Sequence, residues 1–255
     1  MVLAVDIGNS NIVLGCFEKK QIRFIERLST NKNSTALEYT ILIKNILELN
    51  QLSGETFDGA IISSVVPSIT HTMAEAVIRL TGVDAMIVGP GVKTGLKILL
   101  DNPAQLGSDR VADAVAAISE YKAPLIIIDM GTATTISAVD EDRSFLGGVI
   151  IPGLQVSLDS LTSRTSQLPN ISLDPPRAVI GKNTVDCMRS GIIYSTASSI
   201  DGVVDRIEEE IGKPCTVIST GGLARIIVPY CRRKIILDDL LLLKGLDIIY
   251  YKNRG

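Results

Sequence analysis

At 255 residues, with 46% hydrophobic and 21% charged side chains, the chain is long and apolar enough to bury a sizeable core, as one large domain or two small ones, and wholesale disorder is excluded. Its 25 Lys and Arg against 28 Asp and Glu leave a net charge of -3, so no global positive field exists to hold a nucleic-acid backbone. With no Trp and only 4% aromatic residues, base-stacking platforms are scarce as well, and no nucleic-acid partner is expected.

The chain opens as strand, turn, strand, strand: apolar Val2 to Val5, turn residues Gly8 to Asn11, β-prone Ile12 to Phe17, then Ile22 to Leu28. A helical period follows, with Leu37, Ile41, Leu42, Ile46, Leu47 and Leu49 expected on the core face, and then an apolar strand from Ala60 to Val66. Pro67 ends that strand. Ser68 is expected to cap a helix carrying Met73, Val77, Ile78 and Leu80, and a strand returns at Ala85 to Val88. After Pro103 an Ala-rich helix runs through Val111 and Ile118, and a new strand, Leu125 to Ile128, leads into Asp129-Met130-Gly131-Thr132. Strands at Ile136 to Val139 and Phe145 to Ile151 follow. This second unit repeats the first: apolar strand, Asp-x-Gly, small polar residues, β-prone strand. The repeat predicts two related domains, 1-115 and 116-255, meeting directly at a cleft. The rest reads as helical apart from a Pro-containing loop at Ser163 to Arg177, a strand at Thr216 to Ser219 that delivers Thr220-Gly221-Gly222, and a closing helix from about Leu240 to Tyr251.

The N-terminus has no basic leader and meets Asp6 early, and the apolar run near Ile235 to Leu243 is broken by Asp238 and Asp239, short of the roughly 20 residues a spanning helix needs. A cytoplasmic protein without membrane contact is expected. Cys16, Cys187, Cys215 and Cys231 form no C-x-x-C pair, and His71 is the single imidazole. The cysteines read as buried small hydrophobes in a reducing compartment. Arg232-Arg233-Lys234 reads as a solvated basic turn.

Asp6-Ile7-Gly8-Asn9-Ser10-Asn11 puts a carboxylate at the end of a buried strand, then a glycine that lets amide donors approach an anion. Such a turn suits phosphate, with the aspartate on a hydrated cation such as Mg2+. An Asx-type hairpin is the structural alternative. Thr220-Gly221-Gly222 is a third glycine turn, able to lay a ring or ribose against backbone or merely to satisfy a tight bend. In Leu106-Gly107-Ser108-Asp109-Arg110, Ser108 is expected as a helix N-cap with Asp109 in the first turn. Asp109 there either favours the helix dipole or accepts a proton from a substrate hydroxyl, with Arg110 pairing a carboxylate or phosphate oxygen.

Taken together, Asp6-x-Gly-Asn-Ser, Asp101-Asn102-Pro103 leading to Gly107-Ser108-Asp109-Arg110, Asp129-x-Gly-Thr132, Gly147-Gly148 with Pro152-Gly153, and Thr220-Gly221-Gly222 resemble the type III pantothenate kinases across the whole chain. The resemblance implies a duplicated actin-like, ribonuclease H-like α/β fold with mixed sheets flanked by helices. It implies ATP contacts from Asp6, Ile7, Gly8, Asn9, Ser10, Asn11, Ile12, Val13, Thr132, Gly221 and Gly222. Asp109 is then the proton acceptor, Gly107, Ser108, Asp109, Arg110 and Thr184 hold pantothenate, and Asp129 binds a monovalent cation, K+ or NH4+. Leu100 stands where many members carry an aromatic residue and is expected at the pantothenate pocket. A homodimer and the phosphorylation of pantothenate to 4'-phosphopantothenate complete the expectation. The rival is an ATP-binding actin-like regulator of gene expression, which would have no reason to keep Asp109.

Overall fold

The computed structural model describes residues 1-254. They form two compact units, each built from more than one stretch of chain: Met1–Leu96, Asp101–Ala116 and the chain from Leu240 onward make the first, and Lys97–Leu100 with Ala117–Asp239 make the second.

In chain order the first unit holds β1 (Val2–Ile7), β2 (Asn11–Glu18), β3 (Gln21–Ser29), α1 (Ala36–Leu49), β4 (Gly59–Ser64), α2 (Pro67–Thr81) and β5 (Ala85–Ile87). Its five-stranded sheet runs β3-β2-β1-β4-β5. β1 and β2 are antiparallel, whereas β1 and β4 are parallel, with Asp6 opposite Ser63. The central strand is apolar without alternation because both its faces are covered. Leu3, Val5 and Ile7 pack with Tyr39 and Ile43 of α1 and Met73 and Val77 of α2. Val2 and Ala4 pack on the other side with Val111 and Val115 and with Leu246 and Ile249. Those partners belong to α3 (Ser108–Glu120), which follows the two-residue β6 (Lys97–Ile98), and to the last helix.

The second unit continues with β7 (Leu125–Met130), β8 (Ala133–Val139), β9 (Ser144–Pro152), α4 (Leu154–Arg164), α5 (Thr184–Ile211), β10 (Thr216–Thr220), α6 (Ala224–Ile227) and β11 (Ile236–Leu237). α7 (Leu241–Arg254) then closes the first unit. The six-stranded sheet runs β11-β10-β7-β8-β9-β6. Leaving out β6 and reading from β9, its order is that of the first sheet, and β7 pairs antiparallel with β8 and parallel with β10 as β1 does with β2 and β4. The duplication expected from the two Asp-x-Gly turns is therefore one of topology as well as sequence.

Four local expectations are corrected. On α1 the buried residues are Ala36, Tyr39, Ile43, Ile46 and Leu47, while Leu37, Ile41, Leu42 and Leu49 are exposed. Tyr39 sets that face: fully buried, it donates its hydroxyl to the Asn31 carbonyl at 2.7 Å, and Ile43 follows one turn on. Ser68 does not cap α2, because Pro67 takes the first helical position, where its missing N–H is no loss, and Val66 stands at the cap. Ser108 is likewise helical, and Gly107 accepts the first helical bond, from Val111 N–H at 3.1 Å. Of the cysteines only Cys16 is buried, and Cys187 is exposed. Burial nevertheless pushes the Cys16 and Cys215 thiols up to about 11 and Cys231 to about 12, so these three remain inert thiols at neutral pH. Among the described residues no helix is long and apolar enough to cross a membrane.

Candidate active site

Both Asp-x-Gly turns arise from the same local design. In β1 the residues Val2 to Val5 are buried, Asp6 is half-buried and Ile7 is buried; in β7 the same sequence of environments holds Leu125 to Ile128, Asp129 and Met130. Each carboxylate thus stands at the end of a strand anchored on both faces. The first turn is closed by Gly8 N–H donating to the Asn11 carbonyl at 2.9 Å, the second by Gly131 N–H donating to the Ala133 carbonyl at 3.1 Å. Thr30, at the end of β3, supports the first turn: its hydroxyl donates to the Gly8 carbonyl at 2.7 Å and its N–H to the Ser10 carbonyl at 3.0 Å. Asn9, Ser10 and Asn11 are exposed at the tip, while Ile7 and Ile12 are fully buried. The side chains of the two isoleucines belong to the core, and only their backbone faces the turn.

Within this first unit, Gly107 to Arg110 are held against the strand that neighbours β1. The Ser108 hydroxyl lies 3.0 Å from that of Ser63, accepts from Ser64 N–H at 2.9 Å and sits 3.1 Å from the Ser64 carbonyl. Since Ser63 pairs with Asp6 across the parallel β1–β4 ladder, the start of α3 is pinned beside the Asp6 turn. Ser64 is itself held, its hydroxyl accepting from Thr70 Oγ1 at 2.7 Å and Val66 N–H at 3.1 Å. These supporting residues, Ser63, Ser64, Thr70 and Thr30, were missed in the sequence; the available signal was two serines interrupting an otherwise apolar strand.

The Asp109 carboxylate folds back over Gly107, so that a Cβ at Gly107 would lie 2.4 Å from Asp109 Oδ1. The same oxygen accepts from Arg110 N–H at 2.7 Å. Burial raises the Asp109 carboxyl above the usual carboxylate range, opposed by that hydrogen bond and by the Arg110 charge. Arg110 shifts the other way, lowered by burial against the charges of Asp109 and Asp113. A carboxylate so poised suits proton acceptance. If Asp109 accepts a proton in the reaction, it must be ionised to act, and the pH-rate profile has its acid limb at a pH above the ordinary 3.8. A pH-rate profile whose acid limb lies at or below 3.8 would contradict this role.

In the second unit Asp129 pairs with Thr220 across the parallel β7–β10 ladder. Gly221 follows at φ +91, and a Cβ there would lie 2.5 Å from Asp129 Oδ1. Thr132 accepts from Gly153 N–H at 3.2 Å through its carbonyl, so the Pro152-Gly153 step closes the turn. Leu100 is half-buried beside Gly147, whose added Cβ would touch it at 3.5 Å. Thr184 is exposed at the first position of α5, after the Asn183 cap, whose side chain accepts from Asp186 N–H at 2.9 Å. Among the described residues no group of three or more His, Cys, Asp or Glu could hold a metal ion. Single carboxylates at Asp6 and Asp129 fit cations held largely by phosphate and water instead, as Mg2+ is in phosphoryl-transfer sites.

A family model described as type III pantothenate kinase matches residues 2-206. A type III pantothenate kinase of Exiguobacterium sp. AT1b is 43% identical over 254 residues, 100% of each chain. Among solved structures, one described as a Baf family transcriptional activator of Campylobacter jejuni matches with a TM-score of 0.60 at 20% identity, over 99% of this chain and 98% of that one. The (R)-2-hydroxyglutaryl-CoA dehydratase component A of Acidaminococcus fermentans matches with a TM-score of 0.59 at 14% identity, over 100% and 99%. At such identities the structural likeness speaks for the actin-like α/β fold alone.

Proposed function

The chain belongs to the type III pantothenate kinase family and phosphorylates pantothenate with ATP, in coenzyme A synthesis, and on that premise we propose that Asp109 is its proton acceptor. The pantothenate hydroxyl oxygen attacks the γ-phosphorus, its proton passes to Asp109, and the bond from γ-phosphorus to the β–γ bridging oxygen breaks to release ADP. The observation that carries this assignment is the attachment of Ser108 to Ser63 and Ser64, which fixes Asp109 beside the Asp6 turn on rigid elements. Asp6 to Val13 contribute the amide-rich turn for the nucleotide phosphates, and Thr132, Gly221 and Gly222 add further nucleotide contacts. Gly107 to Arg110, Leu100 and Thr184 hold pantothenate, with Arg110 on its carboxylate. Asp6 would hold Mg2+ through water or phosphate, and Asp129 a monovalent cation. Bound there, such ions offset phosphate charge as it shifts toward the leaving oxygen. We place the enzyme in the cytoplasm.

Incubated with ATP, Mg2+, K+ and pantothenate, the protein gives equimolar ADP and 4'-phosphopantothenate by mass spectrometry. ADP formed without the phosphorylated product would overturn the reading. Turnover depends on K+ or NH4+ beyond Mg2+, and full activity in sodium-only buffer would remove the cation from Asp129. A homodimer is expected in sedimentation at micromolar concentration; a fully active monomer would refute it.

A further inference from the structure

The Gly147-Gly148 and Pro152-Gly153 steps stand out in the sequence, yet no step of the reaction uses them. They bracket one stretch of β9, whose residues from Phe145 to Pro152 pair with β8 on one side. On the other side β6 reaches only Ser144 and Phe145, and the contact ends with Leu99 N–H donating to the Phe145 carbonyl at 2.8 Å. Among the described residues no strand takes that side of residues 146-152. Gly148 and Ile150 are exposed there, Ile150 by 65%. Successive residues of an antiparallel ladder turn their N–H and C=O alternately toward the partner and away from it. Every second residue of 147-151 therefore presents both groups outward.

Open edges are normally blunted by charge, proline or shortness. β3, the edge of the first sheet, follows that rule with Arg23, Glu26 and Arg27. Leu146-Gly147-Gly148-Val149-Ile150-Ile151 does not, having no charge, and its proline comes only afterwards, at Pro152. The ladder skips Leu146, and the two glycines after this bulge stand at φ +143 and +156. A Cβ at Gly148 would collide with the Ile136 carbonyl oxygen. Glycine within a strand marks a place where a ligand or another backbone comes close. Both ends of the open stretch lie at groups already assigned. Half-buried Leu100 has its Cδ2 3.5 Å from where a Cβ on Gly147 would stand, and Gly153 donates its N–H to the Thr132 carbonyl at 3.2 Å.

We propose that the outer edge of β9 at residues 147-151 is a pantothenate subsite, on which the amide of the substrate pairs with the strand backbone as an added strand would. Pantothenate has one secondary amide between its hydroxyl-bearing half and its carboxylate. That amide brings one N–H and one C=O, the two groups a strand edge offers in alternation. The paired glycines keep the backbone bare where the amide approaches, and Leu100 gives the end of the edge an apolar wall. The subsite rests on Leu100 lying at the pantothenate pocket, which is tested separately.

The test is amide hydrogen exchange in the full-length enzyme, resolved to single residues, for the protein alone and with a non-hydrolysable ATP analogue, each with and without saturating pantothenate. Pantothenate slows exchange by about 10-fold or more at alternate residues of 147-151. The amides already facing β8 are unchanged, and the ATP analogue alone does not reproduce the pattern. The ester analogue of pantothenate, with oxygen in place of the amide N–H, binds roughly 5- to 150-fold more weakly, the cost of leaving a strand carbonyl without its donor. Uniform slowing across residues 147-151, or an ester analogue bound as well as pantothenate, overturns the subsite. Protection present before pantothenate is added, and lost on dilution, assigns the edge to a second copy of the chain and overturns it as well. Leu100→Ala separates the premise from the proposal. A pantothenate KM unchanged in that variant removes Leu100 from the pocket, and the subsite with it. A raised KM beside unprotected amides in the parent enzyme keeps Leu100 at the pocket and overturns the edge subsite alone.

Discussion

Asp109→Asn loses about 10²- to 10⁴-fold in kcat, the contribution of a general base, while the protein stays folded and binds ATP. The amide retains the oxygen that accepts Arg110 N–H, so the start of α3 is preserved, but it cannot take the hydroxyl proton. Stability separates this from a structural role. The folded state raises the Asp109 carboxyl, so its ionisation costs stability, a cost absent well below 3.8 and growing as pH rises from 3.8 through the raised value. Asparagine removes that cost, and at neutral pH the variant melts at or above the temperature of the parent. A dipole-compatible aspartate with no catalytic part predicts the opposite pair: near-parental turnover, and a small loss of stability, roughly 0.3–1 kcal/mol. Steady-state rate and melting temperature measured on one preparation decide between them, and a near-parental rate rejects Asp109 as proton acceptor.

The parts of this design that were legible in the sequence are those fixed by residues near one another in the chain. β1 and β7 are covered on both faces, which writes them as unbroken apolar runs, and each ends in Asp-x-Gly. Two such signatures announced the duplication. The hydroxyl of Ser108 was read locally as a cap, yet its partners Ser63 and Ser64 lie 45 and 44 residues earlier, and a tertiary partner of that kind leaves no periodic trace. The core face of α1 failed for a related reason. Its leucines and isoleucines occupy most of the circumference, and the deciding residue was Tyr39, whose hydroxyl partner lies before the helix. β6 and β11 have two residues each, below the length at which alternation carries information.

Gly221→Ala is expected to be strongly damaging to the second unit, and a second glycine in that unit separates the two reasons. Gly221 and Gly212 both have left-handed backbone, at φ +91 and +77. A methyl at Gly212 meets nothing within 4 Å, so Gly212→Ala pays backbone strain alone, about 1–2 kcal/mol. At Gly221 the added Cβ would lie 2.5 Å from Asp129 Oδ1 and 2.6 Å from the backbone N and O of Met130. Two of these three atoms are backbone of a central, fully paired strand, which cannot move aside as a flexible side chain would. Overpacking of this kind adds roughly 1–3 kcal/mol, for a total of about 2–5 kcal/mol. At about 2–4 °C per kcal/mol for a chain of this size, Gly221→Ala melts clearly below Gly212→Ala. The functional consequence differs as well. Relief of the contact pushes the Asp129 carboxylate out of place, so Gly221→Ala raises KM for ATP and weakens activation by K+, whereas Gly212→Ala changes neither. Equal melting temperatures for the two variants, with nucleotide and cation dependence intact in both, would show that Asp129 does not need the open space above Gly221.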